Sequence, residues 1–158
     1  PSAWWIDAPS VMLLYGLIYD LFDKYIWKWG IWRRLKIIRV PDLNGKWIGY
    51  LCSSYSGNDK KLDGKLEIFQ TWRKIQIKLK TEYSKSVSLV AAIVAKDPDG
   101  VIINYEYINE PKPDATATMH AHRGTALFTL ASDGNTLEGN YYTGRDRRTI
   151  GTLRFVRQ

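Results

Sequence analysis

From residue 45 onward, apolar and polar residues alternate with a period of two along short runs. Clusters of Gly, Asn, Asp and Pro interrupt those runs at close intervals. A period of two places successive side chains on opposite faces of a strand, so this texture commits the C-terminal part of the chain to β structure. Eight strands are predicted, over residues 46–54, 64–71, 74–81, 84–96, 101–110, 121–131, 136–143 and 148–156. The third is the clearest, with Ile75, Ile77 and Leu79 on one face and Lys74, Gln76, Lys78 and Lys80 on the other. Turn signals at residues 97–100 and 132–135 are tight, and no connection is long enough to hold a crossover helix, so neighbouring strands run antiparallel. Eight strands in a meander remove both exposed edges by closing on themselves. The fold class is therefore mainly β, an eight-stranded antiparallel meander β-barrel, with an amphipathic helix expected ahead of it.

That helix is predicted over residues 9–29. Val11, Leu14, Tyr15, Ile18, Leu21, Phe22, Tyr25, Ile26 and Trp29 recur at helical spacing, Asp7 or Ser10 could cap the start, and Gly30 could end it. Between Lys24 and Arg39 stand six basic residues and no acid, interleaved with Trp27, Trp29 and Trp32. This mixture suits an anionic membrane surface, although a helix closing one end of the barrel would account for it equally. A turn at residues 41–45 then divides the chain into a juxtamembrane helix and linker, 1–45, and a ligand-binding barrel, 46–158. No apolar run approaches the roughly 20 residues needed to span a bilayer. The opening Pro-Ser-Ala-Trp-Trp lacks an initiator Met, and a processed or truncated start is expected.

In a meander the connections alternate between the two barrel ends, and here the alternation sorts the chemistry. Short turns gather at one end; the loops 55–63 and 111–120, the turn at Glu82 and Tyr83, and the hairpin turn Gly144-Arg-Asp-Arg-Arg148 gather at the other. The polar end is where a ligand would enter. Alternation puts Val101, Ile103, Tyr105, Tyr107 and Asn109 on one face, with Tyr107 and Asn109 inside near this mouth and His122, Tyr141 and Thr143 at its rim. Arg145 and Arg148 offer planar donor forks suited to phosphate, and Tyr107, Tyr141 or Tyr142 offer faces on which a base can stack. A net charge of +7 and seven Trp with ten Tyr fit an anionic ligand with rings, though a solvated basic turn is the plainer reading of the arginines.

Other chemistries find less support. His120 and His122 share a strand face but lack further ligands, so no metal and no cofactor are expected. Glu106 points outward and Glu110 precedes a proline, and no nucleophile elbow, P-loop or dinucleotide fingerprint occurs, so an enzyme is not expected. The single cysteine, Cys52, excludes an internal disulfide and reads as a packed thiol. Two other binding readings stay open, a lipocalin-like carrier of a small apolar ligand and a single-strand nucleic-acid binder. The second would want cations tracking along a groove rather than gathered at one loop.

Several segments in order resemble a known family. They are Trp5-Ile-Asp-Ala-Pro-Ser-Val-Met12, Tyr15 through Tyr25, Pro41-Asp-Leu-Asn-Gly-Lys-Trp-Ile-Gly49, Gln70-Thr-Trp72, Asn109-Glu-Pro111, and Tyr141-Tyr-Thr143 with Arg145 and Arg147. Together they resemble the barrel-bearing membrane effectors of bacterial CBASS anti-phage systems, which carry two transmembrane helices and a β-strand-rich sensing domain. The resemblance implies a barrel that binds a cyclic dinucleotide rather than a nucleic-acid polymer. It further implies a homo-oligomer on activation that disrupts the bacterial inner membrane and kills the infected cell, an abortive infection, with the barrel in the cytoplasm. The two spanning helices would lie ahead of Trp4, leaving this stretch a soluble, signal-binding portion.

Overall fold

Eight antiparallel strands close into a barrel in simple sequence order: β1 (Gly45–Ser53), β2 (Lys61–Gln70), β3 (Ile75–Thr81), β4 (Ser84–Asp97), β5 (Gly100–Pro111), β6 (His122–Leu130), β7 (Thr136–Thr143) and β8 (Ile150–Arg157). The architecture is the one the alternation predicts. The computed structural model describes residues 4–56, 60–97, 100–115, 119–144 and 147–158. The chain divides into two compact units, Pro1–Arg39 with Thr71–Lys74, and Val40–Gln70 with Ile75–Gln158.

In the barrel unit, closure comes from β1 pairing with β8 in the register Trp47↔Arg157 through Ser53↔Gly151. Strand boundaries depart from expectation in two informative places. β2 begins at Lys61, because Leu62 and Lys61 still pair with Leu51 and Cys52. β8 begins at Ile150 rather than 148, because Arg148 has φ 49 and left-handed backbone cannot continue a strand. β3 and β4 pair over Lys78–Lys80 only. Beyond that point a bulge between Ser88 and Val90 redirects β4, and the Ile77 amide donates instead to Ser88 Oγ at 2.9 Å.

Inward residues of the lower half fill the barrel. Trp47, Leu66, Ile68, Ile77, Ile103, Phe128, Leu137 and Phe155 are essentially fully buried, each stabilising the fold by roughly 1.5–3 kcal/mol for an aliphatic or Phe side chain. Phe128 stands edge-on to Phe155 at 6.0 Å and stacks on Tyr105 at 5.9 Å. The segment read as a divider at 41–45 also plugs this end. Leu43 is wholly buried, its amide donates to Gln70 Oε1 at 2.8 Å, and Gln70 Nε2 donates to the Pro41 carbonyl.

In the other unit, α1 spans Trp4–Lys24, earlier than residues 9–29, and Pro9 lies within it rather than at its start. Gly30 does not end this helix; it opens a short α2 (Gly30–Arg34) after a 3₁₀ turn at Ile26–Lys28. Asp23 sets the end of α1. Its carbonyl accepts from the Trp72 amide and its carboxylate from the Arg73 amide, both at 2.9 Å. Burial pulls the Asp23 carboxyl upward, but the Arg73 amide, the Thr71 side chain and the Arg73 guanidinium outweigh it and hold the carboxyl below its ordinary range. The run Val11-Met-Leu-Leu-Tyr15 is exposed throughout, so the apolar surface of α1 is wider than one stripe. Among the described residues no helix is long and apolar enough to cross a membrane.

Candidate ligand-binding site

The same alternation that fills the lower half leaves the upper half open. Above Tyr105 small and polar residues enter among the inward Leu51, Leu62 and Leu79, and a cavity of about 320 Å³ opens there, within the range of small-molecule sites. Its floor is Tyr105, Tyr107, Ala126 and Leu153. Its walls carry Ser53 and Tyr55, Leu79 and Thr81, Ser84 and Ser86, Asn109, His122, Tyr141 and Thr143, with Lys60 and Arg147 contributed by loops.

Two inward glycines make room for two of the tyrosines. Gly124 is the register partner of Tyr107, and a Cβ there would collide with the Tyr107 hydroxyl and the Tyr142 carbonyl. Gly151 is the partner of Tyr141, and a Cβ there would collide with that ring and the Cys52 carbonyl. The end of each ring therefore occupies the space that its glycine neighbour leaves vacant. Burial pushes the pKa of the Tyr105, Tyr107 and Tyr141 phenols above the ordinary value, so all three are neutral donors at physiological pH.

The turn after β7 contributes one guanidinium. Thr143 Oγ1 accepts from the Thr149 amide at 2.7 Å and lies 2.9 Å from Thr149 Oγ1, which pinches the turn shut. The left-handed Arg148 then turns the chain so that Arg147 lines the cavity, 5.0 Å over the Tyr55 ring, while Arg148 is exposed. Sequence reasoning passed over Arg147 as a site residue, since a turn has no periodicity from which to read direction.

The expected site residues thus separate. Tyr107, Asn109, His122, Tyr141 and Thr143 come together on the cavity wall. Tyr142 faces outward from β7 and is half exposed, as its neighbour Tyr141 faces inward. Arg148 lies on the outer side of the turn, and Arg145 falls outside the described residues. His120 and His122 do not converge; instead the His122 Nδ1 lies 2.9 Å from the His120 carbonyl oxygen. Among the described residues no group of three or more His, Cys, Asp or Glu could hold a metal ion. Burial, with the nearby Arg147 charge, pushes the His122 imidazole below its ordinary value despite that bond, so it is neutral at pH 7.

A closed barrel filled at one end and open at the other onto neutral phenols, an amide, an imidazole, an ammonium and a guanidinium defines a small-ligand-binding barrel. Residues 38–157 match the Cap15 cyclic dinucleotide receptor domain, and the chain belongs to that family. It is 36% identical over 147 residues to the CD-NTase-associated protein 15 of Yersinia aleksiciae, covering 91% of this chain and 67% of that protein. It is 29% identical over 126 residues to the protein of the same name from Escherichia albertii, covering 79% of this chain and 64% of that one. The chain spans about two thirds of the length of these relatives. The resemblance to CBASS effectors with a sensing barrel is upheld, and the matched family is a receptor domain rather than a catalytic one.

Proposed function

We propose that the upper cavity is the seat of a cyclic dinucleotide, bound and not turned over. Tyr107, Asn109, His122, Tyr141 and Thr143 contact it from the wall, and Arg147 neutralises a phosphate. Arg145 is a further phosphate contact, Arg148 adds positive charge from the outer side of the turn, and Tyr142 flanks the mouth from outside. The observation that carries the reading is Arg147 and the Tyr107 and Tyr141 rings on one cavity, in a chain of a receptor family. A guanidinium binds phosphate through charge-assisted bonds, and a phenol ring gives a base a stacking face worth roughly 1–3 kcal/mol.

In the longer protein, ligand binding drives self-association, and membrane helices then disrupt the bacterial inner membrane in an abortive infection, the barrel standing in the cytoplasm. Residues 1–45 are the juxtamembrane segment and linker, whose Lys and Arg among Trp27, Trp29 and Trp32 suit anionic headgroups.

A thermal-shift series with cyclic dinucleotides, linear dinucleotides and fatty acids tests the site. A ligand at a hundredfold excess over its Kd stabilises by about 2.7 kcal/mol, so a cyclic dinucleotide should raise Tm clearly. A rise with fatty acid alone would overturn the proposal in favour of a lipocalin-like carrier.

A further inference from the structure

Lys60 and Arg147 reach the cavity from loops, while a row of neutral hydrogen-bonding groups stands on its strands. In the ring order of the barrel, the β7–β8 turn that bears Arg147 lies across from the β3–β4 hairpin and its neighbour β5. From that far side the register runs Ser86↔Asn109 and Asn109↔His122, so these three side chains stand in one row on β4, β5 and β6 and face the cavity together, Ser86 farthest from the turn and His122 nearest it.

The row is built to bind something. Ser86 and Asn109 are more than nine-tenths buried, at 8% and 6% exposure. Yet among the described residues the Asn109 carboxamide has only the Met119 sulfur as partner, 3.5 Å from Nδ2, and a thioether is a weak acceptor. Buried polar groups in folded proteins are as a rule hydrogen-bonded, and an amide left so poorly paired points to a partner that arrives with the ligand. His122 extends the row with a fixed tautomer. The His120 carbonyl can only accept, so the neutral ring carries its proton on Nδ1 and presents Nε2 as an acceptor.

Hydroxyl, carboxamide and imidazole acceptor together carry no charge and mix donors with acceptors. A phosphate oxygen only accepts, and placed here it would set its lone pairs against Asn109 Oδ1 and His122 Nε2. A nucleobase edge, which alternates amine or imide donors with ring nitrogens and carbonyls, meets the row group for group.

We infer that Ser86, Asn109 and His122 read the edge of one nucleobase while Arg147 holds a phosphate, so the site discriminates among bases at that position. The inference rests on the cyclic dinucleotide reading above and goes further in making these three residues the specificity determinants.

The test is calorimetric titration of the parent barrel and of Asn109→Leu, Ser86→Ala and Arg147→Ala with cyclic di-GMP, cyclic di-AMP, cyclic GMP–AMP and cyclic UMP–AMP. Thermal melts confirm that each variant is folded. The parent should bind one of the four at least about tenfold more tightly than the next. Asn109→Leu should shrink that preference by about tenfold, Ser86→Ala should shrink it less, and Arg147→Ala should weaken all four ligands by a similar factor with the preference intact. An unchanged preference in both Asn109→Leu and Ser86→Ala overturns the inference, and Ser86→Ala decides alone if the other does not fold. Equal affinity of the parent for all four overturns it while the receptor reading stands. Binding of none of them overturns the receptor reading and the inference with it.

Discussion

The two halves of the barrel obey one rule and reach opposite results. Below Tyr105 the inward positions hold Trp47, Leu66, Ile68, Ile77, Ile103, Phe128, Leu137 and Phe155, and the interior is solid. Above it the same strands place Ser53, Thr81, Ser84, Ser86, Asn109, His122 and Thr143 inward, and the interior opens. The period of the strands does not change across the boundary; the size and polarity of the inward side chain does. A filled lower half stabilises the fold and holds the upper half rigid enough to carry underpaired polar groups. The upper half gives up packing for hydroxyls, an amide and an imidazole that face the cavity.

The largest effect expected from disturbing this division is in the lower half. Phe128→Ala removes a fully buried ring between Tyr105 and Phe155 and should cost about 3–5 kcal/mol, measured by chemical denaturation. Binding by the fraction that remains folded should be unchanged. A loss below about 1 kcal/mol would show that the lower half can collapse around the gap, against the picture of a rigid base.

The boundary itself is the next place to press. Gly124→Ala brings a methyl against the Tyr107 hydroxyl and the Tyr142 carbonyl, and since the carbonyl is backbone it cannot swing aside. A cost of about 1–3 kcal/mol is expected, together with weaker ligand binding, because Tyr107 must leave the cavity floor. Titration of Gly124→Ala with full parental affinity would show that Tyr107 does not shape the site.

Most of this frame is legible in the sequence, for physical reasons that also mark where legibility ends. A strand's period fixes which residues share a face, so the inward set of β5, Ile103 through Asn109, and the end of the barrel that holds the mouth both follow from alternation. Alternation also implies that Tyr141 and Tyr142 cannot both face inward, a constraint strong enough to have set Tyr142 aside. Period does not give volume, so whether the interior is hollow could not be read, although Gly124 and Gly151 opposite tyrosines are a sign of rings needing space. Nor does it reach into turns. Arg147 enters the cavity because of the Thr143 and Thr149 bonds and the left-handed Arg148, neither of which leaves a trace in the order of the residues.

A smaller effect should appear with pH. Burial and the Arg147 charge depress the His122 imidazole in the folded state, so between its folded value and the unfolded value near 6.5 the unfolded chain binds the extra proton. Stability from this group is complete above about pH 6.5 and declines as the pH falls through that window. The Tm of the parent should drop between pH 7 and pH 5.5 by more than the Tm of His122→Gln. The depressed carboxyls of Asp23, Glu67 and Asp133 titrate lower still and contribute to both proteins alike. Parallel Tm curves for parent and variant would mean that His122 is not held neutral by its surroundings.

The smallest effect is expected at Arg148, and it decides what the cationic turn does. Arg147→Ala and Arg148→Ala each remove one positive charge from adjacent positions, so any long-range attraction on an anionic ligand falls by nearly the same amount in both. Contact does not. Arg147 lines the cavity, where a charge-assisted bond to phosphate is worth roughly 1.5–3 kcal/mol, whereas Arg148 is exposed and turned outward. If contact governs, calorimetric titration with the best-bound cyclic dinucleotide should show about tenfold or greater loss for Arg147→Ala and less than about threefold for Arg148→Ala. Both should melt within about 0.5 kcal/mol of the parent, since neither side chain packs into the lower half. If instead the turn acts as a diffuse field, the two losses should be equal, and both should vanish as salt is raised because exposed charges are screened within about 10 Å at 0.1 M. Equal, salt-sensitive losses would remove Arg147 from the site and leave ligand recognition to the neutral wall of the cavity.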